Sequence, residues 1–151
     1  MKYEEAIIKV FQSLGECKIM ALGSSLNDHV TVRSVSCVFR DNRIFFKTDK
    51  EFPKTKQLLA NPNVALCHWG VQIEGTAKNH GLVAEEPGQV FAKLYEKHWD
   101  KSYTSRPHPD SEILVEVIPK FIEVWDQDEN DNGFQTLIDC VERTVDIVMY
   151  D

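Results

Sequence analysis

Three polar residues stand where packing alone does not call for them. Arg33 lies in the middle of an alternating apolar segment, Thr48 ends the next one, and Lys54 opens a helix. Brought together, a guanidinium, a hydroxyl and an ammonium make a seat for one phosphate. The guanidinium can bind two oxygens at once, the ammonium adds a second charge and the hydroxyl one more donor. Over residues 30–39, Thr31, Arg33, Val35, Cys37 and Phe39 share one face, and Val30, Val32, Ser34, Ser36 and Val38 share the other. Arg33 therefore shares a face with Val35, Cys37 and Phe39. A guanidinium there cannot escape by losing its proton and requires a partner. That partner is a carboxylate of the chain, with Glu74 and Glu116 as candidates, or the phosphate of a ligand. Lys54 sits in the first turn of its helix, where the free N–H groups and the positive dipole end favour an anion and disfavour a cation.

The elements that carry these residues follow from local signals. Asp41-Asn42 is a two-residue turn joining strands over 30–39 and 43–48, with Ile44, Phe46 and Thr48 on one face of the second. Pro53 at the first helical position starts a helix over 53–60 that ends before Asn61-Pro62. Upstream, Ala6, Ile7, Val10, Phe11 and Leu14 at helical spacing predict a helix over 3–14 ended by Gly15, then a short apolar strand over 17–23 and a polar turn over 24–28. Downstream, strands are expected over 63–69 and 71–78, with Gly75 marking a bulge or a close backbone approach. Trp69 is expected in the core or at an interface, and His68 facing water. Glu85-Glu86-Pro87 reads as a helix entry, and Val90, Phe91, Leu94, Tyr95, His98 and Trp99 form a packing stripe along that helix. The polar loop after it offers Tyr103, Arg106 and His108 as substrate contacts. Residues 113–125 alternate as a strand or a bent strand pair in which Pro119 implies an edge or a bend, and 126–132 form a solvated acidic linker. After that, Phe134, Leu137, Ile138 and Val141 have helical spacing while 144–150 is rich in strand formers, so both conformations stay open.

The bulk properties exclude several classes. A chain of 151 residues is one domain with room for a proper core. A net charge of −7 with no basic stripe argues against a nucleic-acid surface. No apolar run is long enough to span a bilayer, and the acidic start MKYEEAIIKV lacks a signal-peptide core, so a cytoplasmic setting is expected. Cys17, Cys37, Cys67 and Cys140 form no CxxC pair, and three of the four are expected as small buried hydrophobes. There is no GxGxxG, P-loop, GxSxG or HExxH. Six or more strands arriving as hairpins, with two or three helices, argue for an antiparallel barrel over a doubly wound sheet.

The segments TVRSVSCVF, RIFFKT, PKTKQLLANPNVALCHW and QIEGTA, with a weaker EILVEVIPKFIEVW, resemble in order and spacing the pyridoxamine 5′-phosphate oxidase-like flavoproteins, the FMN-binding split-barrel family. The resemblance implies a mainly β, six-stranded antiparallel split barrel with peripheral helices, spanning the whole chain as a single domain. It implies FMN as cofactor, its phosphate held by Arg33, Thr48 and Lys54. Backbone groups around Arg33, Ser34, Val35 and Ser36, and around Phe46 and Lys47, would meet the ring and ribityl chain. Gln72 and Trp125 would approach the cofactor or the interface, and the protein would be a homodimer with FMN between its subunits. The family's true oxidases carry a basic residue where this chain has Val38, and basic substrate-phosphate residues near the C-terminus that this chain lacks. The implied activity is then an FMN-dependent reductase using NADH or NADPH, with a small nitro-aromatic or quinone-like acceptor. The alternatives are a non-catalytic flavin- or haem-binding module acting as sensor, carrier or store, and a barrel without cofactor in which Arg33 pairs with Glu74 or Glu116.

Overall fold

The computed structural model describes residues 1–83, 88–99 and 110–150. In chain order these form α1 (Tyr3–Leu14), β1 (Cys17–Leu26), β2 (His29–Arg40), β3 (Arg43–Asp49), α2 (Pro53–Ala60), β4 (Asn63–His68), β5 (Val71–Leu82), α3 (Gly88–His98), β6 (Glu112–Gln127), β7 (Gly133–Asp139) and β8 (Thr144–Met149). The strands make one antiparallel sheet in the order β3-β2-β1-β4-β5-β6-β7-β8, and β3 also pairs with β6. That closure turns six strands into a barrel and leaves β7 and β8 outside it. No helix among the described residues is long and apolar enough to cross a membrane.

The tight hairpins come from residues that tolerate left-handed backbone. Asp41 and Asn42 join β2 to β3 with φ of 54° and 59°. Asn27 and Asp28 do the same between β1 and β2 with φ of 50° and 63°, so Ser24 to Leu26 belong to strand β1 and the expected five-residue turn shrinks to two. In β6, Pro119 marks a bend and not an edge. The strand pairs with β3 up to Val117 and with β7 from Phe121, and Pro119 lies between the two partnerships, where its missing N–H costs no ladder bond. Gly75 of β5 lies opposite at a register shift, and a Cβ there would meet Ile118 O at 2.5 Å.

The open question at the C-terminus resolves as a hairpin. Residues 133–139 pair with the far half of β6, from Gln127↔Gly133 to Phe121↔Asp139, and that ladder overrides their helical spacing. Ile138 is fully buried there, in the same apolar cluster as Ala6 and Val10 of α1. The thiols also depart from expectation. Only Cys37 is fully buried, which pushes its thiol up to about 12. Cys17 and Cys140 are half-buried, and alternation along β4 turns Cys67 outward.

Candidate functional site

Barrel register explains where Arg33 lies. Side chains directly across neighbouring strands share a face, and one row runs Arg33↔Leu22↔Leu66↔Ile73↔Ile122. The last four are 0–2% exposed, so the row is the barrel interior. Arg33 is nevertheless exposed, because the β2–β3 ladder stops at Val38↔Phe45 and the two strands then diverge. The expectation of a buried guanidinium is thus corrected: Arg33 faces inward at the open end of the split. The carboxylate partners fall away for geometric reasons. Glu74 aligns with Ala65, Gly23 and Val32 on the outward face, opposite to Arg33. Glu116 is taken by Arg43, whose Nε and Nη2 donate to it at 2.9 and 2.8 Å, and by His80 Nε2 at 2.8 Å.

Helix α2 docks at the split through polar contacts on both sides. Toward β1 and β2, the hydroxyls of Ser24 and Thr31 donate to Gln57 Oε1 at 3.0 and 2.6 Å, and Gln57 Nε2 donates to His29 O at 2.8 Å. Toward β3, the hydroxyls of Thr48 and Thr55 share a hydrogen bond of 2.9 Å, both buried. Two hydroxyls joined by one bond keep one O–H hydrogen in reserve. Phe52, the residue before the helix, gives it no side-chain cap. This docking seats Lys54, one residue before Thr55, half-buried beside Arg33. Burial first, and the Arg33 charge second, hold the Lys54 ammonium below its usual range. No ion pair compensates Arg33 or Lys54 among the described residues, and Lys54 Nζ lies over the Phe52 ring, 6.0 Å from its centroid. Two like charges held together at a helix start, with hydroxyls alongside and no acid between them, suit a phosphate dianion.

The other expected site residues divide into two groups. Val35 and Phe46 are buried, with Phe46 paired to Val115. Ser34 is exposed on the outward face, and Ser36 is half-buried with its carbonyl accepting from Tyr95 Oη at 3.0 Å. Lys47 bonds Glu112 through Nζ at 3.1–3.2 Å. All five belong to β2 and β3, the two strands that border the split. Gln72 and Trp125 do not reach it. Gln72 is exposed on the outward face, connected to Ser34 across the sheet through Cys67 and Ala21, three strand spacings or about 14 Å away. Trp125 is half-exposed, with its ring 5.1 Å from that of Tyr150, and Trp69 is 90% exposed at φ 50°. Among the described residues no group of His, Cys, Asp and Glu could hold a metal. Tyr103, Arg106, His108 and the Glu85-Glu86-Pro87 helix entry lie outside the described residues. Sequence reasoning missed Gln57 and Tyr95. Gln57 gives no motif. Tyr95 sits in the packing stripe of α3, and only its hydroxyl could have raised the question of a partner.

Comparison with known proteins decides the family. The profile described as pyridoxamine 5′-phosphate oxidase matches residues 7–126, most of the chain. The chain belongs to the pyridoxamine 5′-phosphate oxidase family. No curated protein matches it. Several solved structures share the fold at low identity. PhzG from Burkholderia lata, solved with tetrahydrophenazine-1-carboxylic acid, is 13% identical with a TM-score of 0.66 over 99% of this chain and 92% of its own. A NimC/NimA family protein from Clostridium acetobutylicum is 14% identical with a TM-score of 0.57, over 98% of this chain and 94% of its own. A pyridoxamine 5′-phosphate oxidase-related, FMN-binding protein from Nostoc punctiforme is 12% identical with a TM-score of 0.56, over 98% and 95%. These likenesses extend across the β7–β8 hairpin, beyond the profile match.

Proposed function

We propose that this family member binds FMN, with the phosphate on Arg33, Lys54 and the Thr48–Thr55 hydroxyls and the flavin in the split between β2 and β3. The observation that carries this reading is the pair Arg33 and Lys54 at the mouth of the barrel, with no ion-pair partner among the described residues. The seat fits the group chemically: two cations and a spare hydroxyl hydrogen match a phosphate monoester, and the strand edges that diverge beyond Val38↔Phe45 offer backbone donors and acceptors to a flat polar ring. Solved proteins of this fold include an FMN-binding and a FAD-binding one, and the seat for a single phosphate monoester is what favours FMN here.

The same reading makes the protein a homodimer. The outward face of β1 and β2 exposes Ile19, Val30 and Val32, at 55, 73 and 70%, and Trp69 extends the apolar surface. Gln72 and Trp125 lie on that outward surface away from their own chain's split, so a second copy related by a two-fold axis is what would bring them to a cofactor. FMN, once bound, supplies hydride and electron transfer; the protein supplies position and electrostatics. We assign an FMN-dependent reductase drawing on NADH or NADPH, with a small nitro-aromatic or quinone-like acceptor. Val38, fully buried, offers no cation for a phosphorylated substrate.

The test is an absorption spectrum before and after adding FMN, followed by anaerobic addition of NADH or NADPH. Flavin bands that bleach on the nicotinamide support the reductase. Bands that persist make the protein a flavin carrier or sensor, and a Soret band makes it a haem module. No uptake of any chromophore removes the reading.

A further inference from the structure

The β2–β3 ladder ends in an unusual way. Arg40 and Arg43 close the two-residue hairpin, so exchanged hydrogen bonds fall on Arg40↔Arg43, on Val38↔Phe45, and by the same alternation would next fall on Ser36↔Lys47. In a regular ladder the Lys47 N–H would donate straight to the Ser36 carbonyl. Instead the Tyr95 hydroxyl stands between them: it donates to Ser36 O at 3.0 Å and accepts from the Lys47 N–H. One ladder bond has become a two-bond relay, and the strands part at that position. Helix α3 fixes the hydroxyl there. Tyr95 is fully buried, Phe91 one turn earlier stacks on Phe45 with centroids 3.9 Å apart, and Trp99 one turn later donates from Nε1 to Cys37 O at 3.3 Å. Burial pushes the phenol well above its usual range, so it remains a neutral O–H able both to donate and to accept.

We propose that Tyr95 is a positioning residue of the flavin site: its hydroxyl, inserted between Ser36 and Lys47, sets where the barrel opens and holds the two strand edges at the width of a flavin ring. This deepens the FMN reading and rests on it. Past the relay, no strand among the described residues pairs with β2 on the side toward which Ser34 and Ser36 turn their backbone groups. The ring-binding edge therefore begins at the Tyr95 hydroxyl. Arg33 and Lys54 act on the phosphate, at the far end of the same ligand.

The experiment compares FMN with riboflavin, which lacks the phosphate, on wild type, Tyr95→Phe, Arg33→Ala and Phe91→Leu. Tyr95→Phe keeps the ring and removes only the hydroxyl. It should weaken FMN and riboflavin equally, by about tenfold, and move the visible bands of the bound flavin. Arg33→Ala should weaken FMN alone. Phe91→Leu keeps the hydroxyl and removes only part of the packing of α3, and should lower the melting temperature while moving the bound-flavin bands less than Tyr95→Phe does. Tyr95→Phe indistinguishable from wild type, while Arg33→Ala loses FMN, overturns the role of Tyr95 and leaves the flavin reading intact. Flavin loss in Tyr95→Phe and Phe91→Leu in proportion to their loss of stability makes Tyr95 merely structural and equally overturns it. Wild type that takes up neither flavin overturns both. Should Tyr95→Phe fail to fold, the Lys47 amide resonance of wild type decides: a shift on adding riboflavin is expected, and its absence refutes the placement.

Discussion

Replacing Arg33 with alanine separates a ligand-binding arginine from a structural one, because the two roles predict opposite patterns. Arg33 is exposed, makes no ion pair among the described residues, and has the Lys54 ammonium as its charged neighbour. Removing it breaks no hydrogen bond or ion pair among the described residues and relieves some repulsion, so the melting temperature of the cofactor-free protein should hold or rise slightly. FMN binding should fall. A charge-assisted hydrogen-bonded pair contributes about 1.5–3 kcal/mol, and the openness of the split argues for the lower half of that range. A loss of about 1.5–2 kcal/mol is roughly 10–30-fold in Kd. Fluorescence-quenching titrations at one fixed salt concentration measure it, with riboflavin alongside. The variant should bind riboflavin as wild type does, and raising salt should weaken FMN less for the variant than for wild type. Unchanged FMN affinity, or an equal loss for riboflavin, would refute the phosphate seat. A melting temperature lowered by several degrees would return Arg33 to the scaffold.

Three further outcomes follow. Lys54→Met should stabilise the cofactor-free protein by up to about 0.5 kcal/mol while weakening FMN several-fold. The charged form of Lys54 is the disfavoured one in the fold, so wild type gains stability as pH rises toward the lysine range, and the variant should lose that rise in urea melts. Arg43→Met tests Glu116, whose carboxyl is held low chiefly by Arg43 and further by His80, against the effect of burial. Stability from a depressed carboxyl is complete above the unfolded value of about 4.3 and fades as pH falls through the folded one. The variant should therefore lose about 1–2 kcal/mol near neutrality, with the gap to wild type closing below pH about 4. Gly75→Ala puts a Cβ within 2.5 Å of Ile118 O and 3.0 Å of Val117 Cγ1, so the β5–β6 bulge must shift, at about 1–3 kcal/mol in denaturant melts and with little direct effect on the split.

Much of the fold was legible because its signals are local. Gly15 ends α1, Pro53 starts α2, Asp41-Asn42 turns β2 into β3, and the structure places each as expected. What was not legible depends on partners distant in sequence. The helical spacing of Phe134, Leu137 and Ile138 is genuine, but the free far half of β6 claims those residues for a ladder. Pro119 reads equally well as edge or bend until the change of partner from β3 to β7 is known. Tyr95 has the spacing of a packing residue and packs as one; that its hydroxyl enters the β2–β3 ladder is a fact of tertiary register.

Arg33 shows the same limit and its consequence. Alternation assigns a side chain to a face, and it did so correctly, but it does not say whether another strand covers that face at that height. The inward row is sealed at Leu22, Leu66, Ile73 and Ile122 and open at Arg33. Had the row been sealed there too, the guanidinium would have needed a carboxylate for the fold to be stable, and that acid would have filled the seat. In the open split water screens the repulsion between Arg33 and Lys54 enough for both to stand without an acid partner among the described residues. Under the proposed function, their charge is then what an incoming phosphate would exchange its solvent for. Exposure, and not burial, is what leaves Arg33 without a carboxylate partner among the described residues, as the proposed phosphate seat requires.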